Sequence, residues 1–191
     1  MKVTKEQAEL NRQALLDAAG RLFKQHGVDG VGVADICKAA GLTHGALYKH
    51  FADKQDLAAQ AFAHSFRKGF DRTTQAGSGK APTLAIYLDQ YLSRRVRDDQ
   101  AAGCPVVTSA CDTGRQSEAV SQSYTAGFLE LRDGLRAVLD PDGEAPARAT
   151  LAVAALIGAM ALSRGVVKTD PRLANEVLKQ VRDEIERLAG G

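Results

Sequence analysis

The chain has little cysteine, almost no excess of charge and no long apolar run, and the first and the last of these shortages each exclude a class of protein. Three cysteines in 191 residues, with no CxxC or Cys/His spacing, exclude a disulfide framework and a zinc site. A net charge of +2 by itself predicts little about partners. Neither a signal peptide nor a transit peptide is evident, so we expect a cytoplasmic protein without cofactor or metal.

The most apolar stretch is residues 151–162, which lies between Arg148 and Arg164. A helix that crosses a bilayer needs about 20 mostly apolar residues. Because this stretch is shorter, it predicts a buried helix and no membrane partner. With 45% hydrophobic residues in the whole chain, the composition is sufficient for a globular core.

What the chain does have is helical periodicity from end to end. Apolar residues recur at helical spacing, and glycine, proline and capping residues separate the segments. We therefore predict an all-α fold of about nine helices. They cover residues 5–26, 33–40, 43–51, 53–73, 83–99, a short helix from Pro105, 118–139, 147–167 and 171–188, with a loop at 75–82.

The stretch "GLTHGALYKHF", residues 41–51, has the spacing of a helix-turn-helix. Such a motif needs a small residue on its first helix, a glycine in the turn and an apolar anchor on its second helix. Cys37, Gly41 and Leu47 meet these needs, and Phe51 follows Leu47 at a spacing of four on the same face. The polar residues between the anchors then point outward, as a reader of the DNA major groove requires.

These residues resemble a known family. The segment "RQALLDAAGRLFKQHGVDGVGVADICKAAGLTHGALYKHFADKQDLAAQAF" is closely similar to the N-terminal domain of TetR/AcrR-family bacterial transcriptional regulators over about residues 11–62. The similarity is carried by "AAxxLFxxxG", "DIxxxAGLTxGxLYxHF" and "xxKxxL". These motifs are highly specific for the family.

The resemblance implies a homodimeric, ligand- or redox-responsive transcriptional repressor. A three-helix helix-turn-helix domain, residues 1–52, would read one half-site of a palindromic operator in double-stranded DNA. Residues 53–191 would form the helical domain that binds a small-molecule effector and dimerises. Effector binding would move the helix at 53–73 and so move the two DNA-binding domains of the dimer apart. The sequence does not distinguish repressor from activator.

Family positions imply seven DNA contacts. The residues on bases and phosphates are Thr43, His44, Gly45, Tyr48 and Lys49, and those that grip the phosphate backbone are His50 and Lys54. For Tyr48 and His50, a structural packing role is the alternative. Gly32 departs from the family, which usually has Thr or Ser there, so that phosphate contact is absent or is made by backbone N–H groups.

A second signal is "AAGCPVVTSACD", residues 101–112. If Pro105 is the first helical residue, Cys104 is the N-cap, where the helix dipole lowers the pKa of a thiol and favours thiolate. The "GC" also resembles the branch of the family that senses oxidants and electrophiles through a cysteine. The alternative is an inert packed thiol.

Two further sets of residues are predicted for the C-terminal domain. The effector cavity would be lined by Cys104, Phe62, Phe66, Tyr87, Tyr91, Val107, Tyr124 and Phe128. The dimer interface would use a helix that is apolar nearly all round and the stripe of the last helix, through Leu151, Ala155, Leu162, Val177, Val181 and Ile185.

Signatures of enzymes are missing from the sequence. There is no nucleophile elbow, no outstanding pair of carboxylates and no glycine-rich phosphate loop after a strand, and "GSGK" lacks the P-loop spacing. We therefore predict that the protein is not an enzyme. Two alternatives stay open: a redox enzyme that depends on Cys104, and a protein-interaction module without specific DNA binding.

Overall fold

The computed structural model describes residues 4–75 and 82–190. Within these ranges the fold is all-α, as predicted, with eleven α-helices, one 3-10 turn and no β-strand. The helices are α1 (Lys5–His26), α2 (Val33–Ala40), α3 (His44–Leu47), α4 (Lys54–Gln75), α5 (Leu84–Tyr91), α6 (Arg94–Asp98), the 3-10 turn (Gln100–Ala102), α7 (Pro105–Thr108), α8 (Ala110–Thr113), α9 (Glu118–Leu139), α10 (Ala147–Val166) and α11 (Pro171–Gly190). The predicted loop at 75–82 lies mostly outside the described residues.

The helix count exceeds nine because two predicted helices are each interrupted at a serine. The predicted helix at 83–99 is interrupted at Ser93, whose hydroxyl accepts a hydrogen bond from the N–H of Val96 at 3.3 Å and caps α6. Serine competes for backbone hydrogen bonds in this way, so it favours helix ends over helix interiors. The helix predicted from Pro105 is interrupted at Ser109, between α7 and α8, where the side chain makes no cap hydrogen bond.

The third helix is shorter than predicted. It ends at Leu47 and not at Phe51, and residues 48–50 form turns. The N–H groups of His50 and Phe51 both donate to the carbonyl of Leu47, at 2.9 and 3.1 Å. Phe51 still reaches the core, with 2% of its surface exposed.

Two separate hydrophobic cores share one long helix. The first core joins α1, α2 and α3 to the first turns of α4, through Leu57 and Ala61. The second core lies in the C-terminal part and receives Phe62 and Phe66 from the next turns of α4. Helix α4 therefore links the N-terminal reading head, by which we mean α1–α3, to the rest of the chain.

A glycine in the left-handed conformation ends α2. Gly41 has φ +67°, and its N–H donates to the carbonyl of Lys38 while the N–H of Leu42 donates to that of Cys37. A Cβ on Gly41 would meet no heavy atom within 4 Å, so only the backbone conformation demands glycine there.

We expect Gly41→Ala to lower the free energy of unfolding by about 1–2 kcal/mol, because alanine is strained in the left-handed region. The matched control is Gly114→Ala, at a position with φ −63° and equally open space. We expect this control to change stability by less than about 0.5 kcal/mol. Urea unfolding followed by circular dichroism measures both, and equal effects would contradict the assignment.

Candidate DNA-binding surface and effector site

The turn between α2 and α3 positions the helix-turn-helix as the spacing predicted. Thr43 caps α3, since its hydroxyl accepts from the N–H of Ala46 at 3.3 Å. The inward residues Ile36, Cys37 and Leu47 are buried, with 0%, 3% and 0% of their surfaces exposed. The short α3 is therefore fixed to the core by its anchors, and its polar face is left free.

The predicted DNA contacts lie on that free face. Thr43, His44, Gly45 and Lys49 are exposed, and Tyr48 is 55% exposed. Because more than half of the Tyr48 surface is open, packing does not account for this residue.

The two residues predicted to contact the phosphate backbone of DNA are less exposed. His50 is half-buried, with its ring centroid 6.2 Å from that of Phe51, so the packing alternative applies to it more than to Tyr48. Lys54 is also half-buried and is the first residue of α4. At a helix N-terminus the dipole adds to the attraction of a cation for phosphate.

Gly32 begins α2 without a side-chain cap, and its own N–H donates to a carboxylate oxygen of Asp35 at 3.2 Å. The N–H of Gly32 itself is therefore engaged within the helix start. Any backbone contact with phosphate here would come from the following N–H groups in the first turn of α2.

One structural support of the reading head was missed by the sequence. The Arg12 guanidinium lies 5.5 Å from the centroid of the Phe51 ring and also donates to Gln60 on α4. The guanidinium thus covers Phe51, the last residue of the stretch 41–51. Arg12 and Gln60 are 48 residues apart, and no sequence spacing links residues so distant, so only the fold reveals these contacts of Arg12.

Cys104 is the N-cap of α7, with Pro105 as the first helical residue, as predicted. The expected thiolate is not supported, however. Burial raises the pKa of the Cys104 thiol above its ordinary value. Hydrogen bonds from the Tyr91 hydroxyl and from the backbone at Val106 act in the opposite direction, but burial is the larger effect. A helix of four residues also has little dipole to contribute, so the prediction from the cap position alone was wrong.

The residues predicted to line the effector cavity form one continuous apolar cluster. Phe62, Phe66, Tyr87, Tyr91 and Val107 are buried in the second core, with Tyr124, Phe128 and Cys104 packed against them. We call these eight residues the aromatic cluster. The rings of Phe62 and Tyr124 are 5.6 Å apart, and the Tyr124 hydroxyl donates to the carbonyl of Val106 at 3.2 Å.

The side chains of the aromatic cluster lie together, but they leave only a small space for a ligand. Beside Cys104 lies a small cleft of about 10 Å³, lined by Phe66, Phe70 and Tyr91 among others. Drug-sized ligands occupy pockets of about 300–1,000 Å³. An effector larger than the cleft would therefore have to displace side chains of the aromatic cluster.

The predicted dimer residues fall into three groups by exposure. Leu151 and Leu162 on α10 are 56% and 61% exposed. Ala155, Val177 and Val181 are half-buried against the second core. Ile185, with 2% exposed, is covered by its own chain and is not available to a partner.

Helix α10 is the one helix among the described residues that is long and apolar enough to cross a membrane by length and composition. In the structure it packs between α9 and α11, and 39% of its most apolar window is buried. Arg164 near its end donates to the carbonyls of Val96 and Arg97 at the end of α6. Its remaining apolar surface is the face that carries Leu151 and Leu162.

Comparison with known proteins gives matches to both parts of the chain. The family described as "Bacterial regulatory proteins, tetR family" matches residues 15–61, and "Transcriptional regulator LmrA/YxaF-like, C-terminal domain" matches residues 81–174. The regulator AcrR of Shigella flexneri is 54% identical over 54 residues, which are 28% of this chain and 25% of AcrR.

Longer similarities extend over both domains. LmrA of Bacillus subtilis (strain 168) is 26% identical over 171 residues, 85% of this chain and 91% of LmrA. The structure of E. coli NemR in its reduced form has the same fold, with a TM-score of 0.73 and 18% identity over 93% of this chain and 95% of that one. Of these similarities, the short match to AcrR has the higher identity, and the matches that extend over most of the chain have lower identity.

Proposed function

Because the chain belongs to the TetR family of bacterial transcriptional regulators, we propose that it is a homodimeric repressor that binds a palindromic operator and releases it when its C-terminal domain takes up an effector. The observation that carries the proposal is the exposed polar face of the helix-turn-helix, held by buried anchors. We place the protein in the cytoplasm, where that DNA would be.

The reading surface consists of Thr43, His44, Gly45, Tyr48 and Lys49. Gly45 allows close approach of the backbone to DNA, since the nearest atom to a Cβ there is 4.0 Å away. Tyr48 would contact a base edge or a phosphate, and Lys49 would contact phosphate. We propose that His50 and Lys54 contact the phosphate backbone that flanks the bases read by this surface. Because both side chains are half-buried, each can reach a phosphate from only a limited range of directions.

We assign residues 1–52 to the DNA-binding domain and residues 53–191 to effector binding and dimerisation. The first turns of α4 belong to the core of the head, so the boundary falls within a continuous packing unit. A shift of α4 would therefore carry the reading head with it.

The dimer surface is the open face of α10. Leu151 and Leu162 are its exposed leucines, and a Cβ built at Gly158 would meet no atom within 4 Å. Small residues between two exposed leucines allow two copies of the helix to approach closely. We include the half-buried Ala155, Val177 and Val181 at the edge of this surface and leave Ile185 out.

Selection of duplexes from random-sequence DNA by the purified protein, followed by footprinting, tests the proposal. We expect a palindromic site with two protected half-sites whose centres lie about one helical turn, roughly 34 Å, apart. Feeble binding of equal strength to every duplex, governed by salt alone, would instead support the protein-interaction alternative.

For the effector we propose a small, mostly apolar molecule that enters the aromatic cluster, with Cys104 at the edge of its cleft. An α,β-unsaturated carbonyl compound would also react there. The Cys104 sulfur would attack the β-carbon, a C–S bond would form as the C=C π bond breaks, and the resulting enolate would take a proton from solvent. This reaction is stoichiometric and needs no redox partner. Members of this family are typically regulators and not enzymes, and we assign Cys104 no catalytic turnover.

The raised pKa predicts slow alkylation of Cys104 at neutral pH. The thiolate is the nucleophile, and a pKa above the usual thiol value keeps its fraction small. We expect the rate to rise by about tenfold per pH unit from pH 7 to pH 9 without levelling off. Peptide mass spectrometry after timed exposure to N-ethylmaleimide measures this in a Cys111→Ser background, which removes the exposed cysteine. A rate that is independent of pH between 7 and 9 would show that the thiolate already prevails.

A further inference from the structure

The segment of residues 100–117 touches the reading head at both of its ends. At its beginning, the ammonium of Lys24 on α1 donates to the carbonyls of Ala101 and Gly103, the latter at 3.2 Å. At its end, the Gln116 amide donates to the Asp29 carboxylate in the α1–α2 loop at 2.9 Å. The same segment contains Cys104, directly after Gly103. A displacement beside Cys104 therefore acts on atoms that hold α1.

The middle of segment 100–117 is poorly suited to remain rigid. It consists of a 3-10 turn and two four-residue helices, α7 and α8. Helices of one turn make few internal hydrogen bonds and depend on tertiary contacts. Between the segment and α1 lies a cavity of about 30 Å³, bordered by Phe23, Pro105 and Asp112 among others. Packing between the two is thus incomplete there, and the polar contacts at the ends join them.

Both connections are charge-assisted hydrogen bonds, because the Lys24 ammonium donates in one and the Asp29 carboxylate accepts in the other. Lys24 differs in that its single ammonium holds two backbone carbonyls of the segment, those of Ala101 and Gly103. Lys24 is only half-buried, and a lysine has a flexible four-carbon stem. The contact can therefore be broken without leaving a charge sealed in the interior.

The backbone just before segment 100–117 is also held by α10, which carries the proposed dimer surface. Arg164 on α10 donates to the carbonyls of Val96 and Arg97, at 2.9 and 3.2 Å, just before the 3-10 turn. Two cations on different parts of the molecule therefore hold carbonyls of one stretch of backbone, residues 96–103. Lys24 connects this stretch to the reading head, and Arg164 connects it to α10 in the C-terminal part of the chain.

We propose that Lys24 is the positioning residue that transmits the state of the effector region to the reading head. In the arrangement that binds operator, Lys24 holds the carbonyls of Ala101 and Gly103 and fixes the orientation of α1. Occupation of the aromatic cluster or alkylation of Cys104 shifts these carbonyls away, and α1 is released. This inference rests on the proposed function and adds a route through α1 to the movement of α4.

Hydrogen exchange tests the proposal without any need for a reactive cysteine. Coupling between two sites is reciprocal, so operator binding must slow amide exchange in residues 100–109 if Lys24 connects them to the head. The probe is a duplex selected from random-sequence DNA by the wild-type protein. We expect about fivefold or more slowing in the wild type, the lower end of common coupling factors.

Lys24→Met removes the ammonium but keeps a stem of similar length, and we expect the operator-dependent slowing to vanish in it. Lys24→Arg keeps the charge and should retain the slowing. The matched control is Arg21→Met, which removes an exposed cation one turn earlier on α1. Lys24→Gln serves as a second neutral variant should the methionine variant fail to fold. Equal slowing in the neutral Lys24 variants and in Arg21→Met would overturn the proposal, as would no slowing in the wild type.

A second arm separates this proposal from the sensing role of Cys104. Operator affinity is measured before and after complete alkylation with N-ethylmaleimide, in a Cys111→Ser background. If the wild-type affinity does not change, the covalent role of Cys104 fails, while the exchange experiment still decides the role of Lys24. If affinity falls in the wild type and in Arg21→Met but not in Lys24→Met, both roles are supported.

Discussion

Replacing Leu162 with aspartate is expected to separate the dimer and to reduce operator affinity by at least about 100-fold, because linked binding sites commonly gain 10²–10⁴-fold in avidity. Leu162 is 61% exposed on α10, so the substitution should not disturb the core of the protomer. In a symmetric dimer the same patch meets its own copy, so each substitution appears twice in one interface. Two buried carboxylates at one contact would repel each other and lack partners.

The matched control for Leu162→Asp is Leu129→Asp. Leu129 is 39% exposed but lies on α9 and is not among the residues of the proposed dimer surface. Sedimentation velocity should show monomers only for Leu162→Asp, and thermal unfolding at high dilution should show an intact fold for both. A dimeric Leu162→Asp with wild-type operator affinity would rule out the α10 face as the interface.

The fold was largely predictable because its helices carry local signals. Thr43 and Ser117 cap their helices through side-chain hydrogen bonds, and Gly41 ends α2 in a left-handed conformation. Each of these signals acts within four residues. The sequence did not predict the helix breaks at Ser93 and Ser109, because the apolar pattern continues across both positions. A serine within such a pattern does not by itself indicate a helix end.

The geometry of the helix-turn-helix could be predicted for the same reason, but the surroundings of Cys104 could not. The anchors and the polar face of the helix-turn-helix all lie within residues 36–51. At Cys104, by contrast, the local signal was the cap position, whereas the burial that raises the pKa comes from the tertiary packing of the second core. The contact of Lys24 with Gly103 joins positions 79 residues apart, and helical periodicity does not show which groups meet over such a separation.

The dimer stripe shows a further limit of periodicity. Val177, Val181 and Ile185 recur at a spacing of four and were assigned to one interface. In the structure Ile185 is buried within its own chain, whereas the two valines are half-buried. An amphipathic helix has one apolar stripe whether it covers its own core or a partner, so the sequence pattern is the same in both cases.

Tyr48 and Lys49 should differ in what they contribute to DNA binding, and this difference tests the reading surface. Tyr48→Ala is expected to reduce affinity for the selected operator by at least about 30-fold, because a base-reading contact is worth about 1–3 kcal/mol and occurs in both half-sites. Its effect on random-sequence DNA should be small. With 55% of its surface exposed, Tyr48 can be truncated without creating a large cavity.

Lys49→Ala should instead weaken binding to operator and to random-sequence DNA by similar factors. A lost phosphate contact lowers the slope of log affinity against log salt by about one per protomer, hence by about two per dimer. Titrations at several salt concentrations, with operator and random duplexes side by side, measure both variants. Tyr48→Phe keeps the ring and removes the hydroxyl, so it separates a base contact by the ring from donation to phosphate. If Tyr48→Ala lowered both affinities equally, Tyr48 would be a phosphate contact and specificity would have to come from Thr43, His44 and the backbone at Gly45.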